Sequence, residues 1–183
     1  MEKAVPNSQF ETAACVFRHE RFDMNTNDRI AKQLVQKFTQ RKLTVATAES
    51  CTGGLIAKLI TDMAGSSAVL YGGFVTYTNE VKINVLGVDP AIIARDTEVS
   101  HACAQAMAEG ARVRLGTDFG ISTTGYAGPR GGTESDPVGT VYIGISTKQG
   151  TRSERFCAPA GATRTQVRNA AALRALEMLL DTE

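Results

Sequence analysis

The chain has 183 residues, 43% of them hydrophobic and 21% charged, enough for one well-buried core, and the length favours one domain over two. Twenty basic residues stand against nineteen acidic ones, a net charge of +1, and their interspersion excludes the electrostatic footprint of a nucleic-acid or membrane-surface binder. Cys15, Cys51, Cys103 and Cys157 stand singly, without the spacing of a zinc site or a disulfide framework, so a reducing, cytoplasmic setting is expected.

Residues 1–26 read as an extension with no apolar run long enough for a signal or a membrane span, and CVFRHE within it is a candidate edge strand. Asn27 or Asp28 can cap a helix over 28–41, in which Ile30, Leu34, Val35 and Phe38 recur at helical spacing. LTVATAE is β-rich and strand-length; the turn AESCTGG follows, and a helix is predicted from about Thr52 to Met63 with Gly65 as its stop. YGGFVTYT, 71–78, alternates as a strand, NEVKINVLG begins at an Asn79 cap and ends at Gly87, and a second short helix follows Pro90.

Ser100 caps the amphipathic run HACAQAMAEGARVRL, which Gly116 stops, and TDFGISTTG is the next strand. YAGPRGGTESDP carries too much glycine and proline for regular structure. VGTVYIGIST and TRSERFCAP, joined by KQG, read as an antiparallel hairpin, and Thr163 opens a final helix with Val167, Ala171, Leu173, Leu176 and Leu180 on its buried side. The pattern predicts a three-layer α/β/α sandwich around a mixed, mostly parallel sheet of about five strands with one antiparallel member, all in one domain over 27–183.

Ligands of such sheets gather beyond the carboxyl ends of parallel strands, which places AESCTGG and STTGYAGPRGG on one rim. Ser50, Cys51 and Thr52 are three hydroxyl or thiol nucleophiles at a strand-to-helix turn, where backbone N–H groups of residues 51–54 converge and Gly53 and Gly54 permit close approach. A serine there needs a base. His19 and His101 read as surface histidines; Lys58 points away from the helix mouth, and Lys82, just past a strand, reaches the rim. Serving as a base near neutral pH requires its pKa to fall by roughly 3 units, about 4 kcal/mol. Read from these residues alone, Ser50 or Thr52 as a plain helix cap, Lys82 as a solvated lysine and Cys51 as a small buried group are the commoner roles.

The ordered set AESCTGG, GSSAVLYGGFVTYTNEVK, GVDPAIIARDTEVS, TTGYAGPRGGTESDPVGTVYIGI and TRTQVRNAAALRAL resembles the CinA C-terminal-domain family, which includes the nicotinamide-nucleotide amidases, over about residues 28–181. The resemblance implies hydrolysis of nicotinamide mononucleotide to nicotinic acid mononucleotide and ammonia, without metal or cofactor. It implies Ser50 as nucleophile and Lys82 as base, with Tyr77 orienting the lysine or relaying its proton. Asn79, Thr124, Gly125 and Gly128 match family motif positions, and Cys51, Thr52, Gly53 and Gly54 frame the oxyanion. For the phosphate, the expected donors are the backbone of Gly131 and Gly132 with Arg130 or Arg164. The chain looks like a stand-alone version of the domain, with a homo-oligomer expected. The alternative is a catalytically silent member acting as a nucleotide-binding or regulatory protein.

Overall fold

The computed structural model describes residues 24–182; the candidate strand over 15–20, His19 and nearly all of the predicted extension lie outside them. The elements run α1 (Met24–Arg41), β1 (Val45–Glu49), α2 (Leu55–Thr61), a 3-10 turn (Ser66–Ala68), β2 (Leu70–Val75), α3 (Asn79–Leu86), α4 (Pro90–Asp96), α5 (His101–Leu115), β3 (Phe119–Gly125), β4 (Thr140–Thr147), β5 (Gly150–Cys157) and α6 (Arg164–Asp181). The strands form one sheet in the order β2-β1-β3-β4-β5. β1 pairs parallel with β2 and β3, and β4 pairs antiparallel with both β3 and β5. β4 is therefore the one reversed strand, as the KQG hairpin predicts.

Three helix starts differ from expectation. Helix α1 starts at Met24, so Asn27 lies inside it rather than capping it. Helix α3 is capped by the Thr78 side chain, which accepts from the Val81 amide, and Asn79 is its first residue. Helix α2 starts at Leu55, not Thr52.

The strands alternate in side-chain size, and this assigns the layers. Val45, Phe119, Ile121, Val141, Ile143 and Ile145 share a buried cluster with Leu34 and Phe38 of α1, Ile56 and Ile60 of α2, and Leu176 and Leu179 of α6. The Phe38 and Phe119 rings pack at 5.2 Å between centroids, fastening α1 to the sheet. The opposite face of β3 and β4 presents Gly120, Ser122, Gly144 and Ser146, and α5 lies directly on it. The Ser122 hydroxyl donates to the Ala104 carbonyl, and Arg112 Nε donates to Ser146 Oγ at 2.9 Å. Cys103, Met107 and Ala111 of α5 then close a second cluster with Ala46, Ala48 and Leu86. Bulky residues thus separate α6 from the sheet, and missing side chains let α5 approach.

A Cβ on Gly144 would collide with the Ala104 carbonyl, which is backbone and cannot rotate away. Gly144→Ala is therefore expected to cost about 1–3 kcal/mol through overpacking, seen as a lower urea midpoint at unchanged m-value. An unchanged midpoint would show that α5 can lift off the sheet.

Candidate active site

Strand order 2-1-3 puts a topological switch point at β1, where an open α/β sheet leaves a crevice beyond its strand ends. The Ser50 amide donates to the Thr123 carbonyl and the Thr76 amide to the Glu49 carbonyl, both at 2.9 Å. The chain leaving β1 is thereby tied to both neighbouring strands. Beyond these ends lies a cavity of about 350 Å³, lined among others by Ser50, Cys51, Tyr77, Asn79, Lys82, Glu98, Thr124, Gly125 and Arg164. The AESCTGG and STTGYAGPRGG loops meet here, as predicted.

The turn after Ser50 is fixed from below by Glu49, which is fully buried. One carboxylate oxygen accepts the amides of Gly54 (2.9 Å) and Ile56 (3.1 Å), and the other accepts that of Ala57 (2.9 Å). Anionic charge at a helix start also meets the positive end of the helix dipole. Gly54 sits at the N-cap position with φ 94° and has no side chain to cap with. The helix-cap role open to Ser50 and Thr52 thus falls to Glu49, so neither hydroxyl is spent on the helix start.

The three nucleophiles then separate by surroundings. Thr52 is buried and its hydroxyl shares a 2.6 Å hydrogen bond with that of Thr123. Burial pushes the Cys51 thiol up to about 12, so it stays protonated. Only Ser50 meets a base: Lys82 Nζ lies 3.4 Å from its Oγ. That is longer than an ideal hydrogen bond, as is common before substrate closes a site.

Lys82 lies one turn into α3, its amide bonded to the Thr78 carbonyl. Helical side chains tilt toward the N-terminus, so this one reaches back over the helix mouth to the strand ends. The residue is 1% exposed. Desolvation holds its pKa below the usual lysine value, against smaller opposing effects of Cys103, Glu98 and Cys51. Lys58, by contrast, is exposed and paired with Asp62. The lysine meets Tyr77 only through that residue's carbonyl, at 3.5 Å. The Tyr77 phenol instead accepts from Arg164 Nη2 at 3.4 Å, so the expected phenol-to-lysine contact is absent.

Helix α6 brings in two arginines one turn apart. Arg164 Nη1 donates to the Gly128 carbonyl at 2.8 Å and the residue lines the cavity. Arg168, which sequence reasoning missed, donates from Nε to the Cys51 carbonyl (3.1 Å) and from Nη2 to the Thr52 carbonyl (2.6 Å). A trans peptide sets N–H antiparallel to C=O, so this clamp turns the Thr52 and Gly53 amides away from α6. Among the described residues, neither amide donates to a backbone carbonyl. The Gly54 amide, expected in the same cradle, is consumed by Glu49. A signal for Arg168 does exist in the sequence: RTQVR puts two cations at i and i+4 in the start of a helix, where the dipole disfavours them.

The remaining predicted residues stay outside the cavity wall. Thr52, Gly53 and Gly54 form its underlying frame, and Gly128 contributes by holding Arg164. Arg130 and Gly131 are exposed, Gly131 and Gly132 have φ of 92° and 84°, and Gly131 faces the Tyr126 ring. His101 lines a separate cleft of about 490 Å³ with Tyr142 and Asp136, its Nδ1 sharing a 2.8 Å hydrogen bond with Ser153. Among the described residues no group of three or more His, Cys, Asp or Glu is placed to hold a metal ion, and no helix is long and apolar enough to cross a membrane.

A lysine whose folded pKa lies below its unfolded one binds fewer protons in the native state, so stability rises with pH between the two values. Its penalty is complete below the folded pKa and vanishes above about 10.4. Lys82→Met is therefore expected to stabilise the fold at neutral pH, the gain fading as pH approaches 10. Denaturant midpoints of both proteins across pH 6–10 test this, and a pH-independent difference would remove the desolvation argument.

Residues 27–182 match the CinA C-terminal domain. A CinA-like protein of Synechocystis sp. is 52% identical over 126 residues, 69% of this chain and 30% of that protein. One of Geobacter sulfurreducens is 49% identical over 143 residues, 77% and 34% respectively. The chain thus spans about a third of the length of these curated relatives. Among solved structures, the competence/damage-inducible protein CihA of Agrobacterium tumefaciens superposes with a TM-score of 0.82 at 41% identity, covering 85% of this chain and 94% of that one. A CinA superfamily protein of Escherichia coli gives 0.83 at 29% identity, covering 91% and 96%. With the family matched across nearly all of the described residues, the chain belongs to the CinA C-terminal domain family.

Proposed function

We propose that this chain is a serine amidohydrolase that deamidates nicotinamide mononucleotide to nicotinic acid mononucleotide and ammonia. The observation that carries the reading is the buried Lys82 amine, desolvated and 3.4 Å from the Ser50 hydroxyl. Among the described residues no carboxylate hydrogen-bonds it, and desolvation outweighs the opposing pull of Glu98. A cavity of about 350 Å³ falls within the range of small-ligand sites.

Neutral Lys82 accepts the Ser50 proton as Oγ attacks the carboxamide carbon, forming a tetrahedral oxyanion. The Thr52 and Gly53 amides, turned by Arg168, are the donors proposed to stabilise it, a contact typically worth roughly 3–4 kcal/mol per donor. The lysine ammonium then protonates the departing nitrogen, the C–N bond breaks, and ammonia leaves a Ser50 ester. A water that gives its proton to Lys82 attacks that ester. The proton passes back to Ser50 Oγ, freeing the acid product. Arg164 is the proposed phosphate ligand, since its guanidinium lines the cavity and bridges its two rims at Gly128 and Tyr77.

Purified protein is expected to release ammonia from nicotinamide mononucleotide, and Ser50→Ala or Lys82→Ala to lose about 1,000-fold or more in kcat. Lys82→Arg should not rescue, because guanidinium does not deprotonate. Binding without turnover by wild type would sink the amidase reading and leave the nucleotide binder.

Arg168→Met is expected to lower kcat about 10- to 100-fold while KM stays nearly constant, because the clamp sets donors used in the transition state. An equal effect on KM, or none, would show that the clamp only supports the fold.

A further inference from the structure

We propose that Glu98 makes this cavity selective for a ligand with a cationic ring, its carboxylate facing the pyridinium on the wall opposite the anion-binding Arg164. The inference rests on reading the site as a nucleotide amidase and deepens it by assigning the source of ring selectivity.

Glu98 lines the cavity and is half-buried, and its carboxylate makes no hydrogen bond or ion pair among the described residues. The main chain that carries it is held in place. The Thr124 hydroxyl donates to the Glu98 carbonyl at 2.6 Å. The preceding residue, Thr97, has φ 70° and ψ 170°, a region essentially reserved for glycine and strained for a β-branched residue. Three hydrogen bonds hold that strain. The Ser100 hydroxyl donates to the Thr97 carbonyl at 3.0 Å, the Val99 amide donates to Thr97 Oγ1 and that hydroxyl donates to the Val99 carbonyl, both at 3.3 Å. Backbone strain retained beside a cavity is a mark of a functional segment.

The charges on the two walls differ. Glu98 precedes α5, on the small-residue face of the sheet, and acts on Lys82, Cys103 and Tyr126. Arg164 belongs to α6, on the opposite face, and acts on Cys51. They form no ion pair with each other. The cavity thus has a carboxylate on one side and a guanidinium on the other. That pattern complements a dipolar ligand, and nicotinamide mononucleotide has a cationic ring at one end and a phosphate at the other.

The probes are nicotinamide mononucleotide and benzamide mononucleotide, in which carbon replaces the ring nitrogen and the charge is lost while shape, ribose and phosphate stay. Dissociation constants are measured by calorimetry on the Ser50→Ala protein, which cannot turn over, and on Ser50→Ala with Glu98→Gln. Tenfold or greater preference for the cationic ligand is expected with Glu98 present. Glu98→Gln should abolish it by weakening that ligand alone. Equal affinities with Glu98 intact, a preference that survives Glu98→Gln, or equal weakening of both ligands through a ribose contact would overturn the inference. The first comparison needs no change at Glu98, so it decides even if that variant folds poorly. Ammonia release by wild type with no ring preference removes this inference and leaves the amidase reading. Absence of both binding and ammonia release removes the two together.

Discussion

The buried Glu49 carboxylate is the interaction on which the site depends. It ends β1, accepts three amides from the beginning of α2, and so decides where the chain turns and which groups are left over. Charge-assisted hydrogen bonds of this kind contribute about 1.5–3 kcal/mol each, and an orphaned buried amide costs a similar amount. A turn held that firmly can leave a serine hydroxyl uncommitted at the rim. The second restraint comes from helix α6, in the same layer as α2, where Arg168 grips the carbonyls of the same turn. One acid below and one base beside it leave the turn little freedom, which is the preorganisation that oxyanion stabilisation requires.

The sheet places the other half of the pair. β2 runs parallel beside β1, so the start of α3 lies next to the turn, and the backward tilt of helical side chains carries the Lys82 amine across the gap. The same burial that closes the gap removes water from the amine. Proximity and a depressed pKa thus have one cause. The small residues at Gly120, Ser122, Gly144 and Ser146 let α5 settle close, which brings the Thr97–Ser100 segment to the cavity edge.

Much of this was legible in the sequence because it is periodic. The helix and strand pattern, the reversed strand after KQG, and the meeting of AESCTGG with STTGYAGPRGG follow from spacing and topology. The 32-residue separation of Ser50 and Lys82 became meaningful only once family motifs linked them, since one serine and one lysine carry no period. What escaped was long-range and carried by single residues. Glu49 has three amide partners five to eight residues onward, outside any short capping pattern. Arg168 reaches a turn 116 residues away. Tyr77 lines the cavity with its phenol facing Arg164 rather than Lys82, and rotamer choice leaves no trace in the sequence.

The Cys51 thiol has a chemical consequence. Peroxide and alkylating reagents attack the thiolate, and a buried thiol with a pKa near 12 supplies almost none. The position beside Ser50 is therefore a poor target for oxidants, even though it lines the same cavity.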